Sequence, residues 1–186
     1  MSCEGCPSQG KCGKSSETCG IQSNPDNHIK NIITVMSGKG GVGKSTVTVM
    51  LAKAMAKKGL KVGIMDADIT GPSIPRLLAL SNEHAFGNEK QQLIPVDSKE
   101  GIKVMSLNFL VQSESDPVIW RGPVIGGVVK QFYTDVVWGD LDVLLIDMPP
   151  GTGDVALTIM QSIPVQGVVM VSTPQPMVSM IVEKAC

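Results

Sequence analysis

Asn31-Ile-Ile-Thr-Val-Met36, then Ser37, then Gly38-Lys39-Gly40-Gly41-Val42-Gly43-Lys44-Ser45 decide the fold. The first six residues are a short apolar, β-branched run of the kind that makes a buried strand. The last eight fit G-x-x-x-x-G-K-[ST], a phosphate-binding loop when a strand precedes it and a helix follows. The helix is there: within 44–58, Val47, Leu51, Ala54 and Met55 recur at helical spacing, and Gly59 stops it. Residues 61–65 (KVGIM) then read as a second buried strand ending at Asp66. Strand, helix and strand within about 35 residues make a βαβ unit with a right-handed crossover.

Working outward, strands are predicted over 93–96 and 102–106 around a turn at 97–101, with a helix over 122–136. A strand over 143–146, a helix over 155–161 and a strand over 167–171 follow. Residues 177–186 read as a helix with no Gly, Pro or polar stretch to end it, the pattern expected of a truncated chain. This alternation predicts an α/β fold, a mostly parallel sheet with helices on both faces. Ligands in such sheets sit beyond the C-terminal ends of the strands. Residues 1–29 are rich in Gly, Ser, Cys, Pro and Asn without apolar period, a tail ahead of a domain over 30–186. His28 is expected in the solvated linker between them, and Trp120, Phe132 and Trp138 in packing roles.

The glycines of 38–43 let successive N–H groups turn inward towards phosphate oxygens, and the helix start adds its positive dipole end. Gly38, Lys39, Gly40, Gly41, Val42, Gly43, Lys44, Ser45 and Thr46 are therefore the candidate residues for binding ATP. Lys44 offers charge to the β- and γ-phosphates, and the Ser45 hydroxyl is a ligand for Mg²⁺. Residues 143–147 (VLLID) form an apolar strand ending in an acid, so Asp147 is expected to hold Mg²⁺ through water. Asp66 and Asp68 end the second strand two residues apart and are expected to face the phosphates together. Asp68 is the candidate for positioning the attacking water, Asp66 for the Mg²⁺ shell. The stretch 149–154 (PPGTGD) lies where a loop that senses the γ-phosphate belongs.

Among 186 residues, 42% are hydrophobic and 18% charged, enough for one core; the net charge is -1, with no block of Lys or Arg. That argues against nucleic acid or a membrane surface as partner. No apolar run nears the roughly 18 residues of a membrane span, and no signal segment is visible, so the expected compartment is the cytoplasm. Four of five cysteines, Cys3, Cys6, Cys12 and Cys19, crowd the first twenty residues, and Cys186 is the last. Clustering of this kind points to metal or redox chemistry rather than a disulfide framework. Four such thiolates can wrap a [4Fe–4S] cluster. They can equally wrap zinc or stay free.

The second lysine, Lys39, gives GKGGVGKST (38–46), which resembles the deviant phosphate loop of MinD/ParA-like and Mrp-like ATPases. That resemblance implies a homodimer in which each Lys39 reaches the partner's nucleotide. Residues 66–78 (DADITGPSIPRLL), 120–123 (WRGP), 138–154 (WGDLDVLLIDMPPGTGD) and 172–175 (STPQ) together resemble the Mrp/ApbC family of iron–sulfur cluster carriers and scaffolds. The likeness covers essentially all of 31–186. It implies slow ATP hydrolysis coupled to cluster delivery to apo iron–sulfur proteins. Cys3-x2-Cys6-x5-Cys12 is similar to the N-terminal motif of the eukaryotic-type cytosolic scaffold branch, which also has a cysteine further upstream. Cys19 is the candidate fourth ligand. The family's later C-x-x-C pair, associated with a bridging cluster, has no counterpart after Cys12. Two other functions fit parts of the pattern: a ParA/MinD-type positioning ATPase, and a zinc- or cluster-binding module with a vestigial nucleotide site.

Overall fold

The computed structural model of the protein describes residues 24–68, 71, 73–90, 92–110, 122–151 and 153–173. In chain order the elements are β1 (His28–Ser37), α1 (Lys44–Lys57), β2 (Val62–Asp66), α2 (Ile74–Leu77), β3 (Phe86–Gly87), β4 (Leu93–Ile94) and β5 (Val96–Asp97). β6 (Lys103–Met105), a 3-10 turn (Leu107–Phe109), α3 (Gly122–Thr134), β7 (Asp140–Asp147), α4 (Asp154–Ser162) and β8 (Gly167–Val171) complete them. Six strands form one sheet in the order β5-β6-β2-β7-β1-β8. All neighbours are parallel except β5, which pairs antiparallel with β6 at the edge. The predicted α/β class, with its mostly parallel sheet, is what the chain adopts.

Both faces of this sheet are covered, which is why β2 and β7 read as continuous apolar runs rather than alternating ones. Leu144 and Ile146 of β7 join a core built with Val129, Phe132 and Tyr133 of α3 and Ala156 and Ile159 of α4. Val143 and Leu145 point the other way, into a core with Val49 and Ala52 of α1 and Ile74 of α2. Trp138 is fully buried, and its indole N–H donates to the Phe132 carbonyl at 3.0 Å.

Several boundaries differ from the sequence expectation, each for a local reason. β1 begins at His28, not Asn31, because β7 continues alongside it and pairs His28 with Asp140. The exposed, polar start of that strand gives no apolar signal. His28 is therefore a strand residue, with Nδ1 3.5 Å from an Asp140 oxygen, and not a linker. Asn27 fastens the start: its Nδ2 donates to the Val136 carbonyl (2.8 Å) and its Oδ1 accepts from the Gly139 N–H (3.0 Å). The strand predicted over 93–96 is split at Pro95, which has no N–H to give a ladder. Leu93–Ile94 pairs instead with Phe86–Gly87 in a separate hairpin, and Val96–Asp97 pairs with β6. On α1 the inward face is Thr48, Val49 and Ala52, with Leu51 and Met55 half-buried and Ala54 exposed. The helix predicted over 177–186, together with Trp120, lies outside the described residues.

Candidate functional site

β1, β2 and β7 run parallel, so their C-terminal ends bring Ser37, Asp66 and Asp147 to one edge of the sheet. The phosphate loop leaves β1 at that edge and enters α1 at Lys44. Gly41 and Gly43 have φ of 77° and 86°, the left-handed region that a side chain would strain. A cavity of ≈ 280 Å³ opens there, lined by Ser37, Gly40, Gly41, Gly43, Lys44, Ser45, Thr46, Asp68, Gly71, Ser73, Leu77 and Pro150. Gly38, Lys39 and Val42 belong to the same loop without lining the cavity. A second hollow, ≈ 530 Å³, lies at the opposite end of the sheet between His28, Lys30, Lys61, Asp140 and Asp142. It has no glycine loop or helix start to receive an anion.

Charge beside the smaller cavity centres on Asp147, which is fully buried and not itself part of the lining. Its Oδ2 accepts from Lys44 Nζ (2.7 Å) and Ser45 Oγ (2.6 Å), and its Oδ1 from Thr48 Oγ1 (2.7 Å). Lys44 Nζ also lies 3.6 Å from Asp68 Oδ2. The ammonium is thus buried between two carboxylates, a geometry that bound phosphate oxygens would replace with a stronger anion. Ser45 with Asp147 and Asp68 supplies hard oxygen donors, the chemistry Mg²⁺ takes. Among the described residues no three His, Cys, Asp or Glu converge as a metal cluster. At nucleotides Mg²⁺ usually rests on one or two protein oxygens, waters and the phosphates themselves.

Asp66 separates from Asp68 in position. It does not line the cavity; its Oδ2 accepts from Ser106 Oγ (3.1 Å) and its Oδ1 from the Asp68 N–H (3.2 Å). Burial, reinforced by the nearby Asp147 carboxylate, pushes Asp66 up to about 8. The folded protein holds this proton up to that pH, whereas the unfolded chain releases it near 3.8. Between those values the folded state binds more protons, so stability falls as pH rises, by up to about 1.4 kcal/mol per pH unit. Asp66→Asn, neutral at every pH, is expected to gain on the parent protein steadily from about pH 5 to about pH 7. Denaturant unfolding of the ligand-free protein across that range measures this. A difference that stays constant with pH would mean Asp66 is ionised in the fold.

Sequence reasoning missed Ser37, Thr48 and Ser106, all buried at this edge. Thr48 carried a signal: it stands four residues after Lys44, hence on the same helix face. Ser106 and the α2 wall carried none, since they arrive through the sheet order. Cys3, Cys6, Cys12, Cys19 and Cys186 lie outside the described residues, as do Thr152 of the 149–154 loop and Trp120–Arg121. Among the described residues no helix is long and apolar enough to cross a membrane.

Comparison with known proteins agrees with this geometry. An iron–sulfur cluster carrier protein from Clostridium perfringens is 51% identical over 196 aligned residues, covering 98% of this chain and 69% of its own length. An iron–sulfur cluster transfer protein NUBPL from Dictyostelium discoideum is 52% identical over 79% of this chain and 45% of its own length. The solved structure of a nucleotide-binding protein from Archaeoglobus fulgidus in complex with ADP superposes with a TM-score of 0.73 at 50% identity. That match covers 84% of this chain and 60% of the other. The chain thus spans between about half and two thirds of these relatives. The family described as ParA, NUBPL iron-transfer P-loop NTPase, matches residues 28–186, and the chain belongs to it.

Proposed function

We propose that this protein binds and hydrolyses ATP, with Mg²⁺, as a carrier or scaffold that assembles iron–sulfur clusters and passes them to apoproteins. One observation carries this most of the way: half-identity to a cluster carrier over 98% of the chain, a span that takes in nearly all of the cysteine-bearing segment. The cavity supports the ATP half, since Lys44, Ser45, Asp68 and Asp147 meet within hydrogen-bonding or ion-pair distance around it. A vestigial nucleotide site would have no reason to keep all four.

In hydrolysis, a water oxygen would attack the γ-phosphorus while the bond from that phosphorus to the β–γ bridging oxygen breaks, releasing ADP and phosphate. Asp68, at the cavity wall, would orient the water and accept its proton on the way to phosphate. Lys44 would leave Asp147 for the β- and γ-oxygens. Mg²⁺, when bound, would neutralise phosphate charge beside Ser45 and Asp147. Lys39 would contribute from the other protomer of a homodimer. Cys3, Cys6, Cys12 and Cys19 are the proposed ligands of a [4Fe–4S] cluster, and the proposed setting is the cytoplasm.

Anaerobic reconstitution with iron and sulfide tests the cluster half. The expected product has iron and acid-labile sulfide in equal amounts and a visible thiolate-to-iron absorption, lost in a Cys3→Ser, Cys6→Ser double variant. Stoichiometric zinc without sulfide would overturn it.

A further inference from the structure

Ser37 ends β1 immediately before the phosphate loop, and it is 2% exposed. Its hydroxyl has no hydrogen-bond partner, one of two such buried side chains among the described residues with Thr173. Of the two, Ser37 alone lines the nucleotide cavity. Buried hydroxyls are almost always partnered in folded proteins, so one left unpartnered in a residue of the cavity wall is an unmet bonding demand beside whatever fills the cavity.

Placement says which part of the ligand that is. Gly40, Gly41, Gly43 and the α1 start line the wall that receives the α- and β-phosphates. A terminal phosphoryl group beyond them would reach the strand ends, where Asp68 follows β2 and Pro150 follows β7. Ser37 belongs to that side through its backbone. Its carbonyl accepts from the Gly151 N–H at 2.8 Å, while the Met148 N–H donates to Val35 of the same strand at 3.0 Å. The segment leaving Asp147 is therefore fastened to β1 at the residue whose hydroxyl is unpartnered.

We propose that Ser37 reads the terminal phosphate of ATP: its hydroxyl donates to a γ-phosphoryl oxygen, and its carbonyl couples that contact to the segment around Gly151. The proposal deepens the ATP-binding reading above and rests on it. ADP has no oxygen at that position, so Ser37 separates ATP from ADP, whereas Lys44 serves both.

Ser37→Ala removes the hydroxyl and keeps the backbone bond to Gly151. Calorimetric titration of the full chain with Mg²⁺ and either a slowly hydrolysed ATP analogue or ADP supplies the test. The variant is expected to bind the analogue about tenfold more weakly and ADP within about twofold of the parent protein. Its ligand-free melting temperature should not fall, because no internal hydrogen bond is lost, and Ser37→Thr should keep the preference for the analogue. Amide exchange at Gly151 should slow on analogue binding in the parent and not in Ser37→Ala. Equal weakening of both ligands, or no weakening of either, would overturn the role of Ser37 while leaving ATP binding in place. A parent protein that binds neither nucleotide would overturn the ATP reading itself, and this proposal with it.

Discussion

With Lys44 replaced by alanine, ATP binding is expected to weaken at least about 100-fold, the largest effect of any single substitution at the site. The cause is twofold. Among the described residues the ammonium is the one side-chain cation lining the cavity, and it stands at the α1 start where phosphate oxygens must go. It is also the cation closest to Asp147, at 2.7 Å, with both side chains buried. Its loss leaves a buried carboxylate held only by the Ser45 and Thr48 hydroxyls, which should cost the ligand-free fold about 3 kcal/mol. Titration and thermal unfolding separate the two effects. Lys44→Ala protein that still melts cooperatively and binds ATP within threefold of the parent (about 0.7 kcal/mol) would place the nucleotide elsewhere.

Lys39→Ala should behave in the opposite way. Lys39 is half-buried and does not line the cavity of its own chain, so ATP affinity should stay within about threefold. Hydrolysis should fall by about 10³, the scale on which a cation supplied to the transferring phosphoryl group acts. Mixing Lys39→Ala with Lys44→Ala protein should restore part of the lost turnover. A mixed dimer pairs one intact cavity with the one lysine that can reach it from across. Steady phosphate release from Lys39→Ala at the parent rate would remove the trans-acting role. Activity lost with no rescue on mixing would instead assign Lys39 to its own chain.

Much of this was legible before any coordinates, because the informative features are local. The 31–45 stretch announces strand, loop and helix in one run, and 143–147 announces an acid at a strand end. Their meeting follows from parallel pairing of β1 with β7, which the βαβ pattern requires in kind though not in order. Sheet order was the hidden part. β7 inserts between β1 and β2, and that insertion brings Asp147 onto Lys44 and close to Asp66, whose proton is held more tightly through burial and that neighbouring carboxylate. Ser106 reaches Asp66 for the same reason, β6 being the next strand along. Short elements were also hidden: four residues of α2 and two-residue strands carry too little periodicity to register.

β1 has one more consequence. Asn27 pins its beginning to the start of β7, while its end becomes the phosphate loop, ten strand residues later. At a strand rise of about 3.3 Å per residue, those two ends stand roughly 30 Å apart. The 23 residues that bear four of the five cysteines join at the beginning, on the pole of the sheet away from the phosphate loop. Fully extended they could reach at most about 80 Å, so a direct meeting with the nucleotide is not barred by length. Between the two ends runs one continuous hydrogen-bonded strand. The covalent route from the first end to the phosphate loop runs along β1 and passes through Ser37.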